Sequence, residues 1–162
     1  MISEHRSDID WLRLAFQTAA EHSDDPATQN GAVLVPQAGH VMAAANHFPT
    51  GVAPRLARPE KYRYIEHAER AAIYAAARAG QATLGASLYC CWFACPDCAR
   101  AIVEAGIREV VGHVKPRSRT PDRWLAEVHA GEQILREGGV SMRWLAAPLG
   151  FSVMFDGRAL QC

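Results

Sequence analysis

Two short clusters of metal-ligand side chains, far apart in the chain, constrain its fold more than any other feature: His67-Ala68-Glu69 and Cys95-Pro96-Asp97-Cys98. For them to act together, the chain must bring two distant segments to one point. One His and two Cys suit zinc, and three protein ligands leave a fourth position open for water. Glu69 is then a carboxylate not needed as a ligand, free to move that water's protons.

The spacing fits helix starts. Pro96 suits a first helical turn, and Cys95 and Cys98, three residues apart, then face the same side. The free N–H groups and dipole at a helix start favour thiolate over thiol. His67 lies at the start of an alanine-rich helix expected over 65–79. Two helix N-termini can therefore meet at one ion, beyond the strands that feed them. Two thiolates and a neutral imidazole cancel the charge of zinc, and such a site can lower the pKa of its water to about 7. The same residues also read as a structural zinc, with Cys90, Cys91 or His113 as fourth ligand, or as a redox Cys-x-x-Cys pair. Both of those readings leave Glu69 without a task. Cys90 and Cys91 are adjacent on an expected strand, so one points to each face and both read as packing residues. His5, His22, His40 and His129 read as surface residues.

The 162 residues read as a single domain spanning 1–162, large enough for a hydrophobic core. Seventeen basic residues balance seventeen acidic ones. A neutral chain is not built to grip long nucleic acid by charge, so no stable nucleic-acid partner is expected. No apolar run approaches a membrane span, and the polar stretch from Met1 to Asp10 does not read as a secretory signal. Four of the five cysteines fall between Cys90 and Cys98, with Cys162 at the end. That is a poor disulfide framework and a plausible metal cluster in a reducing cytoplasm.

Periodicity predicts a helix over 8–22, with Ser7 and Asp10 as a capping box. Strands follow over 31–35 and 41–45, joined as a hairpin through Gly39. Residues 46–64, broken by Pro49, Gly51, Pro54 and Pro59, read as a long loop of the kind that is often functional. After the 65–79 helix come a strand over 86–92, a helix over 96–105 and a strand over 109–114. Thr120-Pro121-Asp122 reads as a helix start with Thr as cap. That helix runs to Glu137, where Trp124, Val128 and Leu135 form an apolar stripe assigned to the core. A fifth strand spans 140–145, and Asp156-Gly157 suggests a small terminal hairpin. The order implies an α/β fold of three layers, α-β-α, around a five-stranded mixed sheet. The long crossover suits a fifth strand parallel to the fourth.

Taken together, these motifs resemble the cytidine/deoxycytidylate deaminase superfamily, and most closely its deoxycytidylate deaminase branch. The signature H-x-E…P-C-x-x-C of zinc nucleobase deaminases is matched except at Ala94, where the pattern has Pro. The resemblance begins at Asp25-Pro26-Ala27-Thr28-Gln29-Asn30-Gly31-Ala32 and continues through Asn46-His47-Phe48-Pro49-Thr50-Gly51-Val52. It then takes in 61–69 and 95–107. It implies a cytidine-deaminase-like fold, zinc on His67, Cys95 and Cys98, and Glu69 as proton shuttle. It implies hydrolysis of the 4-amino group of a cytosine, dCMP to dUMP in this branch. It also implies a pyrimidine nucleotide as small-molecule partner and a homo-oligomer, dimer or hexamer. Asn46 matches the family asparagine that contacts the nucleotide, and Ala68 falls beside the ligand within the motif, as a further substrate contact. Ala71, His47 and Lys115-Pro116-Arg117 depart from the branch's pattern and bear on the substrate, not on the metal.

A nucleotide substrate needs a cationic phosphate site. Arg55, Arg58, Lys61 and Arg63 cluster in the long loop, and Lys115, Arg117 and Arg119 follow the fourth strand. Both clusters are expected on the active-site side, with Arg55 and Arg58 as the named phosphate candidates. Ordinary solvated loop charge is the other reading of each. A tRNA adenosine deaminase shares the metal motifs but asks for a basic tract that this neutral chain lacks. The first alternative is a deaminase of another free base, nucleoside or modified cytosine nucleotide, and a non-catalytic zinc scaffold is the remaining class.

Overall fold

The computed structural model describes residues 6–162, so the expected surface position of His5 lies outside the described residues. Helix α1 spans Asp8–His22 and opens with the expected capping box: Ser7 and Asp10 each bond the other's backbone N–H. Strands β1 (Gly31–Val35) and β2 (Met42–Ala45) form the expected antiparallel hairpin. Then come α2 (Ala68–Arg78), β3 (Ser87–Cys90), α3 (Pro96–Glu104), β4 (Glu109–His113), α4 (Val114–Ser118), α5 (Asp122–Glu137) and β5 (Ser141–Leu145). The terminal hairpin is β6 (Ser152–Phe155) and β7 (Arg158–Gln161), turning on Asp156 and Gly157 at positive φ.

The five-stranded sheet has the order β2-β1-β3-β4-β5. β1 runs antiparallel to β2 and β3, whereas β3, β4 and β5 are mutually parallel. Alternation along β3 buries both faces. Leu88 and Cys90 pack with α2, α3 and α5, while Tyr89 and Cys91 pack with α1 and the terminal hairpin. Three layers result, and the two adjacent cysteines part to opposite faces as expected.

Register then decides where the site falls. Ala32 pairs with Cys90 and Gly31 with Ala45. The start of β1 and the ends of β2 and β3 therefore share one edge, and the residues just beyond them meet there. Asn30 Nδ2 donates to the Trp92 carbonyl at 2.9 Å, and Trp92 N–H donates back to Asn30 Oδ1 at 3.1 Å. Asn30 N–H donates to Asn46 Oδ1 at 2.8 Å.

Three local expectations are corrected. The alanine-rich helix starts at Ala68, not Ile65, because an isolated bridge between His47 and Glu66 keeps the chain extended up to His67. Thr120 does not cap α5; its hydroxyl donates to the Arg117 carbonyl at 2.9 Å and accepts from Trp92 Nε1 at 3.0 Å. The long loop contains a 3₁₀ turn at Glu60–Arg63. Short α4 was not foreseen.

Gly131 fixes how closely α5 approaches the metal segment. A Cβ there would lie 2.1 Å from the Ala94 carbonyl oxygen, which is backbone and cannot swing away. Gly to Ala inside a helix ordinarily stabilises by about 1 kcal/mol. Here overpacking, typically about 1–3 kcal/mol, opposes that gain. The Gly131→Ala variant should therefore lower the thermal midpoint, and a raised midpoint would show that α5 does not press on residues 94–95.

Candidate metal centre and substrate cavity

The two ligand segments meet because each opens a helix at the same sheet edge. His67 is the residue before α2, and Cys95 the residue before α3, where its Sγ accepts from Cys98 N–H at 3.5 Å. His67 Nδ1 lies 3.4 Å from Cys95 Sγ and 3.5 Å from Cys98 Sγ. Zinc bonded at about 2.3 Å to sulfur and about 2.0–2.1 Å to nitrogen places tetrahedral N and S ligands about 3.5 Å apart. The three donors therefore fit the metal in both chemistry and spacing. The expected alternative fourth ligands are elsewhere. His113 bonds the Ala147 carbonyl and the Lys115 N–H, and Cys90 and Cys91 are core residues.

Hydrogen bonding from Cys98 pulls the Cys95 thiol down to about 4, helped by His67. The same bond, with burial, pushes Cys98 up. Arg70, in the first turn of α2, adds positive charge with Nη1 3.8 Å from Cys98 Sγ. It also pairs with Glu66 and Asp97.

Glu69 is almost wholly buried, and its Oε2 has no hydrogen-bond partner among the described residues. Burial pushes its carboxyl up to about 7, with the His67 charge opposing. An orphaned buried carboxylate oxygen is costly unless a ligand meets it. Glu69 and His67 both line a cavity of about 290 Å³, which gives that oxygen somewhere to act.

Aromatic groups form much of the cavity wall: Trp92, Phe93, Tyr62 and Trp124. Tyr62 and Trp124 meet edge to face, with ring centroids 5.3 Å apart. Trp124, assigned to the core from its helical spacing, is thus a wall residue; Val128 is buried but also lines the cavity, and Leu135 lies in the core. Asn30 also lines the cavity and was missed as a site residue. Its place beside Asn46 follows from strand register, which no local pattern reveals.

The other expected substrate residues divide. Asn46 lines the cavity, but its side chain is largely used within the protein: Oδ1 accepts from Asn30 N–H and Ser23 Oγ, and Nδ2 donates to the Thr28 carbonyl. The Ala68 side chain is wholly buried in the core, so a contact from this residue would be through its main chain at the start of α2. Arg58 lines the cavity, whereas Arg55 lies outside its lining, stacked over Tyr64 and paired with Glu60 at 3.4 Å. Lys61 is not loop charge at all. It is buried in an ion pair with Asp25 at 2.6 Å. Lys115, Arg117 and Arg119 do not line the cavity, and Arg117 forks onto Glu132.

A mixed sheet whose edge gathers one His, two Cys and a spare buried carboxylate is the architecture of a zinc-dependent hydrolytic deaminase. Residues 5–114 match the family model for the cytidine and deoxycytidylate deaminase zinc-binding region, and the chain belongs to that family. It is 31% identical to a protein described as an uncharacterized deaminase in the luxG 3′ region of Aliivibrio fischeri, over 83% of this chain and 93% of that one. It is 34% identical to the human deoxycytidylate deaminase over 62% of this chain and 61% of the human one. The chain thus spans about three fifths of that relative. The fold is that of the dCMP deaminase of cyanophage S-TIM5, solved in complex with dCMP and dUMP. The TM-score is 0.70 at 22% identity, covering 88% of this chain and 100% of the phage chain.

Losing a ligand should release the metal. Purified protein should carry about one zinc per chain by elemental analysis, and Cys98→Ala should carry less than about a tenth of that. Full zinc retention by Cys98→Ala would remove that residue from the ligand set.

Proposed function

We propose that this chain removes the 4-amino group of a cytosine nucleotide, converting dCMP and water to dUMP and ammonia. The observation that carries the chemistry is the partnerless Glu69 Oε2, buried on the cavity wall two residues from the ligand His67. The nucleotide preference rests on the deoxycytidylate deaminases among its relatives.

Zinc bound by His67, Cys95 and Cys98 would supply the Lewis acid that lets water act as a nucleophile near neutral pH. The protein's own residues do the rest. The aromatic walls hold the pyrimidine ring and keep bulk water out. Glu69 takes a proton from the attacking water and passes it to ring N3 as the new C4–O bond forms. It then carries the second water proton to the departing amino group as the C4–N4 bond breaks. The balance is one water consumed and one ammonia released, with no redox change. A carboxyl raised toward neutrality suits a group that must accept and return protons, and such acid–base help is typically worth about 10²–10⁴ in rate. Asn46, through its remaining amide N–H, and the main chain at Ala68 are the polar contacts assigned to substrate. Arg58 is assigned to its phosphate, and Arg55, outside the lining, is the weaker candidate. In the same reading the protein works in a reducing cytoplasm, a location that thiolate ligands favour.

Ammonia release should be compared for dCMP, deoxycytidine, CMP and 5-methyl-dCMP. The expected result is a kcat/KM for dCMP at least about tenfold above that for deoxycytidine, one good charge-assisted contact being worth about that factor. Equal values for the two would contradict a nucleotide enzyme, and ammonia from none of the four would contradict cytosine deamination.

A further inference from the structure

The charged groups that line the cavity are mostly spent on one another. Lys61 and Asp25 are paired at 2.6 Å with side chains only 4% and 5% exposed. Arg70 is held by Glu66 and Asp97 beside the Cys98 sulfur. Releasing either cation would strand a buried charge. Arg58 differs. Its Nη2 is 3.4 Å from Asp156 Oδ1, and the side chains are 44% and 33% exposed. An exposed pair at that distance is weak and exchanges readily.

Asp156 is the tip of the β6–β7 hairpin; it lies outside the cavity lining but is tied to the segment that forms it. Its N–H donates to Thr28 Oγ1 at 3.2 Å, and Thr28 itself lines the cavity. Gly157 N–H donates to the Ala27 carbonyl at 2.8 Å, and Met154 N–H to Gln29 Oε1 at 2.8 Å. A second guanidinium converges on the same carboxylate from α5. Arg123 Nη1 donates to Asp156 Oδ2 at 3.2 Å, and its Nη2 reaches Oδ1. Two arginines from separate elements thus hold one anion: Arg58 lines the cavity, and Arg123, outside the lining itself, is the neighbour of the wall residue Trp124. Converging guanidiniums match a phosphate monoester better than a single carboxylate, since phosphate brings more charge and three acceptor oxygens.

We infer that Arg58 and Arg123 form a phosphate clamp that Asp156 fills as an internal stand-in, so that a substrate's phosphate monoester enters by displacing the hairpin-tip carboxylate. The inference deepens the nucleotide reading above and rests on it for the substrate. Asp156 and Arg123 then set specificity: Asp156 weakens phosphate binding by competing for both guanidiniums, and Arg123 strengthens it. A purely structural latch would behave otherwise. Loosening a latch would affect phosphorylated and unphosphorylated ligands alike.

Binding of dUMP, deoxyuridine and inorganic phosphate should be measured by calorimetry on the zinc-loaded protein and on its Asp156→Asn and Arg123→Gln variants. The dUMP-to-deoxyuridine affinity ratio should rise about three- to tenfold in Asp156→Asn and fall by a similar factor in Arg123→Gln. A ratio unchanged in both variants overturns the clamp, as does a fall in Asp156→Asn. If the variants alter affinity for inorganic phosphate while the ratio stays constant, the site takes a free anion and the inference fails. Because binding is read without turnover, failure of wild-type protein to deaminate dCMP would overturn the proposed reaction and leave the clamp to be judged by the ratio.

Discussion

The structure depends on bringing two sulfurs each within 3.5 Å of one imidazole nitrogen at a largely buried point. Such donors have little reason to gather except around a cation, which neutralises both thiolates at once. Everything near them serves that meeting. α2 and α3 each begin at it, Gly131 lets α5 close over the segment that leads to Cys95, and Arg70 adds positive charge beside Cys98. Glu69 then shares the cavity wall with His67, its free oxygen the one buried polar side-chain atom without a partner among the described residues.

A polar lattice around this centre shapes the cavity. Asn30 ties the end of β3 to the start of β1, and Asn46 ties the end of β2 to both Asn30 and Thr28. Buried networks of this kind are rigid when fully satisfied and costly when not. The Asp25–Lys61 pair fastens the long loop to the segment before β1, and both residues line the same cavity. Asn30, Asn46 and Lys61 are thereby fixed at the cavity wall, as a preorganised site needs.

What could be read from sequence was local. Ser7 and Asp10 cap α1 within three residues of each other, so its start was legible, and the turn segment 36–40 with Gly39 between two short apolar runs marked β1 and β2. The metal set was legible because its spacing marks helix starts. The rest depended on partners distant in sequence. His47 pairs with Glu66 and delays α2, and Trp92 shares the Thr120 hydroxyl that was expected to cap α5. Lys61 is removed from the loop's free charge by Asp25, 36 residues earlier. Trp124 was misassigned because an apolar residue at helical spacing looks the same whether it faces a core or a cavity. The terminal hairpin was foreseen, but nothing local linked its Asp156 tip to Arg58, 98 residues away.

The central claim is that metal binding and proton transfer are separate tasks, with Glu69 performing only the second. It is tested most directly by measuring zinc content and ammonia release from dCMP on the same preparation of the Glu69→Gln variant. The account predicts zinc equal to that of the unmodified protein and turnover reduced by at least about 10²-fold. Zinc retained together with near-normal turnover would contradict the role of Glu69, and loss of zinc would make it a ligand instead of a proton carrier.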